Sequence, residues 1–226
     1  MLKRVQAIGS PPWVGSIGLT IAVAVTYFLA ARLSLALLTE PDGVAVFWPA
    51  AGIAAGLLIA LGRSAQLPVA LGVMAATVAA NLMGDRNFGA AIFFALCNAG
   101  EATIIAWLIE YHFGSGFSLD SPRRVLGLFL ATAVGTAISG IGGTAGFILL
   151  HATEAPILTT WLNWFASDAI GVVTVAPMVI GLARTLNDLP ELLPIVEHIA
   201  LTFTIRRIAV QVVRPRRTVE RGLLIA

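Results

Sequence analysis

Six stretches of this chain, at residues 15–38, 44–61, 65–83, 88–109, 125–150 and 157–183, are each apolar over about the 20 residues that a helix needs to cross a hydrocarbon layer. The breaks between them are short and carry most of the charge. Only a helical bundle or a closed β-barrel satisfies every backbone N–H and C=O in a medium without water. Barrel strands would alternate apolar and polar residues over about ten positions. These runs are instead continuous and rich in Ala, Leu, Ile and Gly. The expected fold is therefore all-α, a polytopic integral membrane helical bundle of about six transmembrane helices. Composition agrees, with 58% hydrophobic and 12% charged residues and a mean hydropathy of +0.91, well outside the usage of water-soluble domains.

Charge placement predicts the orientation. The first run follows Lys3 and Arg4, but it is longer than the core of a signal peptide and leads into further spans, so it reads as an uncleaved helix. With the N-terminus inside, Lys3, Arg4, Arg63, Arg123, Arg124 and Arg184 are cytoplasmic and only Arg86 falls in an outer loop. That bias satisfies the positive-inside rule with both ends in the cytoplasm of a bacterial inner membrane. Residues 192–213 are apolar too, yet Glu197, His198, Arg206 and Arg207 interrupt them. A weak seventh span there would export Arg214, Arg216, Arg217 and Arg221, against the same rule. The expectation is an integral-membrane unit at 15–184 and a basic cytoplasmic or interfacial tail at 185–226, its arginines against anionic lipid.

Carboxylates inside apolar spans are costly unless paired, protonated or solvated, and they mark function more often than scaffold. The sixth span places Trp161, Trp164, Asp168 and Gly171 on one helical face, with Asp168 roughly 15 Å below the outer end at the helical rise. Pro177 follows. In the fourth span Asn98 and Glu101 share a face, Glu101 being roughly 20 Å from the outer end. Asp168 reads either as a carboxylate that ties neighbouring helices together or as part of a ligand or ion pocket. Trp161 and Trp164 read either as interfacial anchors or as walls of the same pocket. Arg32, inside the first span, either meets the acids or snorkels outward. Trp48, Pro49 and Gly52 open the second span, where proline suits a first helical turn and the aromatic suits the outer boundary, on the same side as Trp161 and Trp164. Gly52 with Gly56, Ser139 with Gly143 and Gly142 with Gly146 are small pairs that permit close helix packing.

Soluble-enzyme chemistry is absent from the pattern. There is no phosphate-binding Gly-Lys-Ser/Thr loop, no paired His/Glu zinc motif and no hydroxyl nucleophile with a histidine base. His112, His151 and His198 are scattered, and Cys97 has no second cysteine with which to form a disulfide or a zinc site. No enzyme activity, cofactor, metal or nucleic-acid partner is expected.

The Trp48-Pro49-Ala50-Ala51-Gly52 block, Asn98 with Glu101, and the run Trp161, Trp164, Asp168, Gly171 and Pro177 resemble the first family of membrane-associated sensor (MASE) domains, over about residues 15–181. The resemblance implies an integral-membrane input domain of bacterial signal transduction. Such a domain usually precedes a histidine kinase, a diguanylate cyclase or a cyclic-di-GMP phosphodiesterase. Two features depart from the family's pattern. Phe165 stands where a second adjacent tryptophan is frequent, and after about Thr204 the arginine-rich text carries no kinase, Gly-Gly-Asp/Glu-Glu-Phe or Glu-Ala-Leu signature. The tail is thus either a truncated or frame-shifted end or the native end of a stand-alone sensor.

The function expected is sensory: an unknown small ligand or membrane signal acts at Trp48, Asn98, Glu101, Trp161, Trp164 and Asp168. Arg32, Pro49, Gly52, Gly171 and Pro177 hold the frame. The partners expected are the lipid bilayer, a signalling output protein or domain and a second copy of the chain. The alternatives are a small transporter or substrate-capturing membrane subunit, and a fragment that inserts without function.

Overall fold

The computed structural model describes the backbone of residues 12–38, 43–84, 86–150 and 155–213, and side chains between residues 15 and 186. Lys3, Arg4, Glu40, Asp42, His151, Glu154 and the tail beyond residue 213 lie outside the described residues. Among those described, the regular elements are helices: α1 (Pro12–Ser34), α2 (Pro49–Leu61), α3 (Gln66–Leu82), α4 (Phe88–Phe113), α5 (Pro122–Leu150) and α6 (Ile157–Val213). A 3-10 turn, Arg63–Ala65, joins α2 to α3. The chain divides into two units, Met1–Ala183 and Arg184–Ala226. The first holds the bundle; in the second the backbone is helical as far as Val213.

Local chemistry places the helix ends. The side chain of Asn87 caps α4 by accepting from the N–H of Ala90 at 2.8 Å, which satisfies one of the first-turn donors. Gly62 and Gly114 follow α2 and α4 with φ of +74° and +77°, a left-handed conformation that only glycine adopts without penalty. Pro49 and Pro122 sit at helix starts, where their missing N–H costs nothing.

The bundle is apolar on the outside and small or polar on the inside. Ile17, Ile21, Val25, Leu29 and Leu33 form an exposed stripe along α1, while Ala50, Ala51, Ala54 and Ala55 of α2 are buried. Lipid solvates large apolar side chains as well as a core does, so small residues are left to bring helices together. Gly72 of α3 lies against the Thr20 carbonyl and Val23 of α1, and Gly135 of α5 lies against Ile105 of α4. Gly142 and Gly146 of α5 meet Cys97, Phe93 and Phe94 of α4. Gly52 and Gly56 of α2 meet Gly171, Val175, Ala176 and Val179 of α6.

Among the described residues, five helical stretches, Gly15–Ser34, Arg63–Leu82, Phe88–Phe113, Pro122–Leu150 and Ile157–Leu186, are long and apolar enough to cross a membrane. The second apolar run differs from expectation. Only its Pro49–Leu61 part is helical, 13 residues, or about 20 Å at the helical rise. The preceding residues are extended: Leu38 and Ala45 form an isolated antiparallel bridge, and the Val46 N–H donates to the Leu37 carbonyl at 3.0 Å. Trp48 and Pro49 therefore do not mark the outer boundary. The Trp48 N–H donates to the Ser167 carbonyl at 3.2 Å, ten residues into α6 and so roughly 15 Å along it. Non-helical backbone is tolerated at that depth only when protein encloses it, and Val44, Ala45 and Trp48 are buried.

Candidate functional site

The start of α2 meets α4, α5 and α6 where their polar residues converge. Glu101 of α4 and Asp168 of α6, 2% and 4% exposed, face each other within hydrogen-bonding reach. Trp164 Nε1 donates to Ser139 Oγ of α5 at 3.2 Å, with Ser139 beside Glu101 and Trp164 beside Asp168. Three helices are thus tied through one polar knot. Beyond that pairing, Glu101 Oε2, Asp168 Oδ2 and Ser167 Oγ, all buried, have no hydrogen-bond partner among the described residues. A buried polar atom left in that state costs about 1–3 kcal/mol, and a charged one costs more.

A second chain of polar groups runs beside the first. Trp48 Nε1 donates to Tyr27 Oη of α1 at 3.0 Å, Tyr27 lies beside Thr77 of α3, and Asn98 Nδ2 reaches Thr77 Oγ1 at 3.5 Å. Asn81 Nδ2 donates to the Thr77 carbonyl at 2.8 Å. Between the two systems lies a cavity of about 30 Å³ walled by Trp48, Asn98, Trp164, Ser167, Asp168 and Arg86, among others. That is room for one or two waters.

Arg86 belongs to the turn between α3 and α4. Its guanidinium lies 5.3 Å from the ring centroid of Phe94 and 4.9 Å from that of Phe147, and it donates to the Gly43 carbonyl at 2.6 Å. Burial pushes its pKa down to about 10, since a low-dielectric setting disfavours the charged form. It stays charged at neutral pH. Phe94, Phe147 and Trp164 pack as a triplet with centroids 4.9, 5.3 and 6.0 Å apart.

Of the residues singled out from sequence, Trp48, Asn98, Trp164 and Asp168 wall this cavity, and Glu101 lies behind it on Asp168. Trp161 does not line it; its Nε1 donates to the Ala137 carbonyl at 3.2 Å and its ring stacks on Phe165 at 5.4 Å. Gly52 and Gly171 form the closest backbone approach in the site: a Cβ on Gly171 would lie 2.0 Å from the Trp48 carbonyl oxygen. Pro49 begins α2 beside it, and Pro177 lies within α6, half-buried. Arg32 reaches the Ala80 carbonyl at 3.4 Å, so its described partner is a backbone oxygen of α3.

Tyr27, Thr77, Ser139 and Ser167 were not singled out as site residues, and Arg86 was assigned only to a loop. Tyr27 is one of several hydroxyls in its span, with Ser16, Thr20, Thr26 and Ser34, and nothing in the sequence sets it apart from them. Ser139 was noted for its size, and its hydroxyl is what bonds.

A wider groove of about 310 Å³ lies at the other end of α2, lined by Leu58, Arg63, Gln66, Trp107, Glu110 and Phe117, among others. Its polar feature is the ion pair Arg63–Glu110 at 2.9 Å, with Arg63 75% exposed. A solvated pair on an open groove is common and worth little, whereas buried carboxyls in a membrane bundle are rare. The small cavity therefore has the stronger claim.

Lipid-facing Leu and Ile around Ala- and Gly-lined helix contacts, with a polar knot enclosed at mid-depth, define a membrane-integral helical domain with an internal site. The MASE1 family model matches residues 19–213, most of the chain, and the chain belongs to that family. MASE1 is a membrane sensory domain of signalling proteins. No curated protein matches the chain and no solved structure does. The family match runs past residue 181, where the resemblance read from the sequence ends, as far as residue 213.

Proposed function

We propose that this domain senses a small ligand or ion at the cavity between α2, α4 and α6 and passes the signal to a kinase or cyclic-di-GMP enzyme in the cytoplasm. In this reading residues 15–184 are the sensor and residues 185–226 a basic tail, with both termini on the cytoplasmic side of a bacterial inner membrane. A second copy of the chain would be a partner in transmission. Trp48, Asn98, Trp164 and Asp168 contact the ligand, Glu101 supports Asp168, and Gly52, Gly171 and Pro49 set the spacing of α2 and α6. Trp161 is a packing residue on α5.

The observation that carries this reading is the carboxyl pair between α4 and α6, with an oxygen on each acid that no other described group satisfies, beside the start of a 13-residue helix. Unsatisfied buried acceptors raise the energy of this arrangement. A ligand that satisfies them favours whichever helix arrangement presents them best, and only such a difference in affinity shifts the population. α2 is the element that couples the site to α6: the Trp48 N–H bonds the Ser167 carbonyl, and Gly52 and Gly56 pack against α6.

The test is a chimera of this domain with an intact diguanylate cyclase, expressed with wild-type or Asp168→Asn input. The variant is expected to insert normally and to change cyclase output. Output equal to wild type would reduce Asp168 to packing. Accumulation of a solute in proteoliposomes would replace sensing by transport.

A further inference from the structure

The walls of the small cavity are unequal in what they can offer a guest. Several of its N–H donors are already committed: Trp48 to Tyr27, Trp164 to Ser139, and one amide N–H each of Asn98 and Asn81 to Thr77. On the acceptor side there remain Asp168 Oδ2, the Ser167 hydroxyl and the faces of aromatic rings, all of which attract positive charge. An anion would have Arg86, the Ser167 hydroxyl and the second amide N–H groups of Asn98 and Asn81 as donors, but it would have to sit against the Asp168 carboxyl. A neutral apolar guest would leave the acceptors as unsatisfied as before.

Arg86 shows how a cation sits here. Its guanidinium is within the roughly 6 Å range of a cation–π contact to both Phe94 and Phe147, and one of its nitrogens is bonded to a backbone carbonyl. The side chain comes from a short turn and reaches in over rings that α4 and α5 supply. With Arg86 in place the cavity is about 30 Å³, too small for more than water. Withdrawal of the side chain into the turn would free space of guanidinium size against Phe94 and Phe147 in the cavity that Asp168 also lines.

We infer that this site takes a small organic cation of the guanidinium or alkylammonium class, and that the Arg86 side chain is the internal occupant it displaces. The inference rests on the sensory reading above and gives it a chemistry. Asp168 Oδ2 and Ser167 Oγ accept from the ligand, Phe94, Phe147 and Trp164 supply ring faces, and Arg86 competes. That competition weakens apparent affinity in proportion to the fraction of molecules with Arg86 withdrawn.

The full chain in lipid nanodiscs is titrated calorimetrically with n-propylguanidinium chloride, with n-propylurea as a neutral probe of the same shape. Wild type is expected to bind the cation and not the urea. Arg86→Met should bind it about tenfold more tightly, because the competitor is gone, and Asp168→Asn should lose about tenfold or more. Equal binding of n-propylurea, no gain in Arg86→Met, or no binding at all would overturn the inference. Arg86→Gln replaces Arg86→Met if the latter does not insert, and wild type against Asp168→Asn decides if neither does. Absence of cation binding together with altered output from the Asp168→Asn chimera would sink the cation and leave sensing. Cation binding with unchanged chimera output would do the reverse.

Discussion

Gly171→Ala tests whether the contact between α2 and α6 is as close as the structure has it. The added methyl would lie 2.0 Å from the Trp48 carbonyl oxygen and 2.6 Å from its carbon, where ordinary contact begins at 3.4 Å. These are backbone atoms, so no rotamer change relieves the clash and α2 must retreat by about 1.4 Å from α6. Overpacking of this kind costs about 1–3 kcal/mol, and an unyielding backbone puts it at the upper end. The same retreat would stretch the Trp48 to Ser167 hydrogen bond, now 3.2 Å, beyond bonding range, for about 1 kcal/mol more. Better helix propensity of alanine returns about 1 kcal/mol. The net loss is about 3 kcal/mol, or about 6–12 °C in Tm for a chain of this size. Thermal denaturation of the purified protein in detergent, followed by fluorescence, reads it directly. Gly100→Ala is the control, since a Cβ there meets nothing within 4 Å; it should melt at or slightly above wild type. If Gly171→Ala melted with the control, α2 and α6 would not be in backbone contact and the site's frame would be wrong.

Tyr27→Phe leaves the buried Trp48 Nε1 donor without its acceptor and should cost about 1–3 kcal/mol. Adding Trp48→Phe should then cost less than it does in the wild type, a coupling that a double-mutant cycle on thermal stability measures. Glu110→Gln removes the Arg63 ion pair on the exposed groove and should cost less than about 1 kcal/mol, with the difference from wild type shrinking in high salt as screening takes over.

Much of the architecture was written in residue order alone. Burial of apolar side chains in lipid and satisfaction of backbone groups within a helix are local quantities, summed along about 20 residues at a time. Six apolar runs therefore announced a helical bundle, and a charged residue inside such a run, Glu101 or Asp168, announced itself as costly. The block around Trp48 and the Trp161 to Gly171 spacing likewise carried the family resemblance. What residue order could not decide was which groups meet. The pairing of Glu101 with Asp168 depends on the rotation of α4 against α6, and Trp161 shares a helical face with Asp168 yet packs on Ala137 of α5. The second run looked like a full span because hydropathy counts Val44, Ala45 and Val46 the same whether helical or extended. Tertiary packing broke it at Trp48, where Gly52 and Gly171 let the backbones of α2 and α6 touch. Arg86 read as an ordinary loop cation for the same reason: the rings that hold it, Phe94 and Phe147, are distant in sequence and adjacent only once α4 and α5 pack.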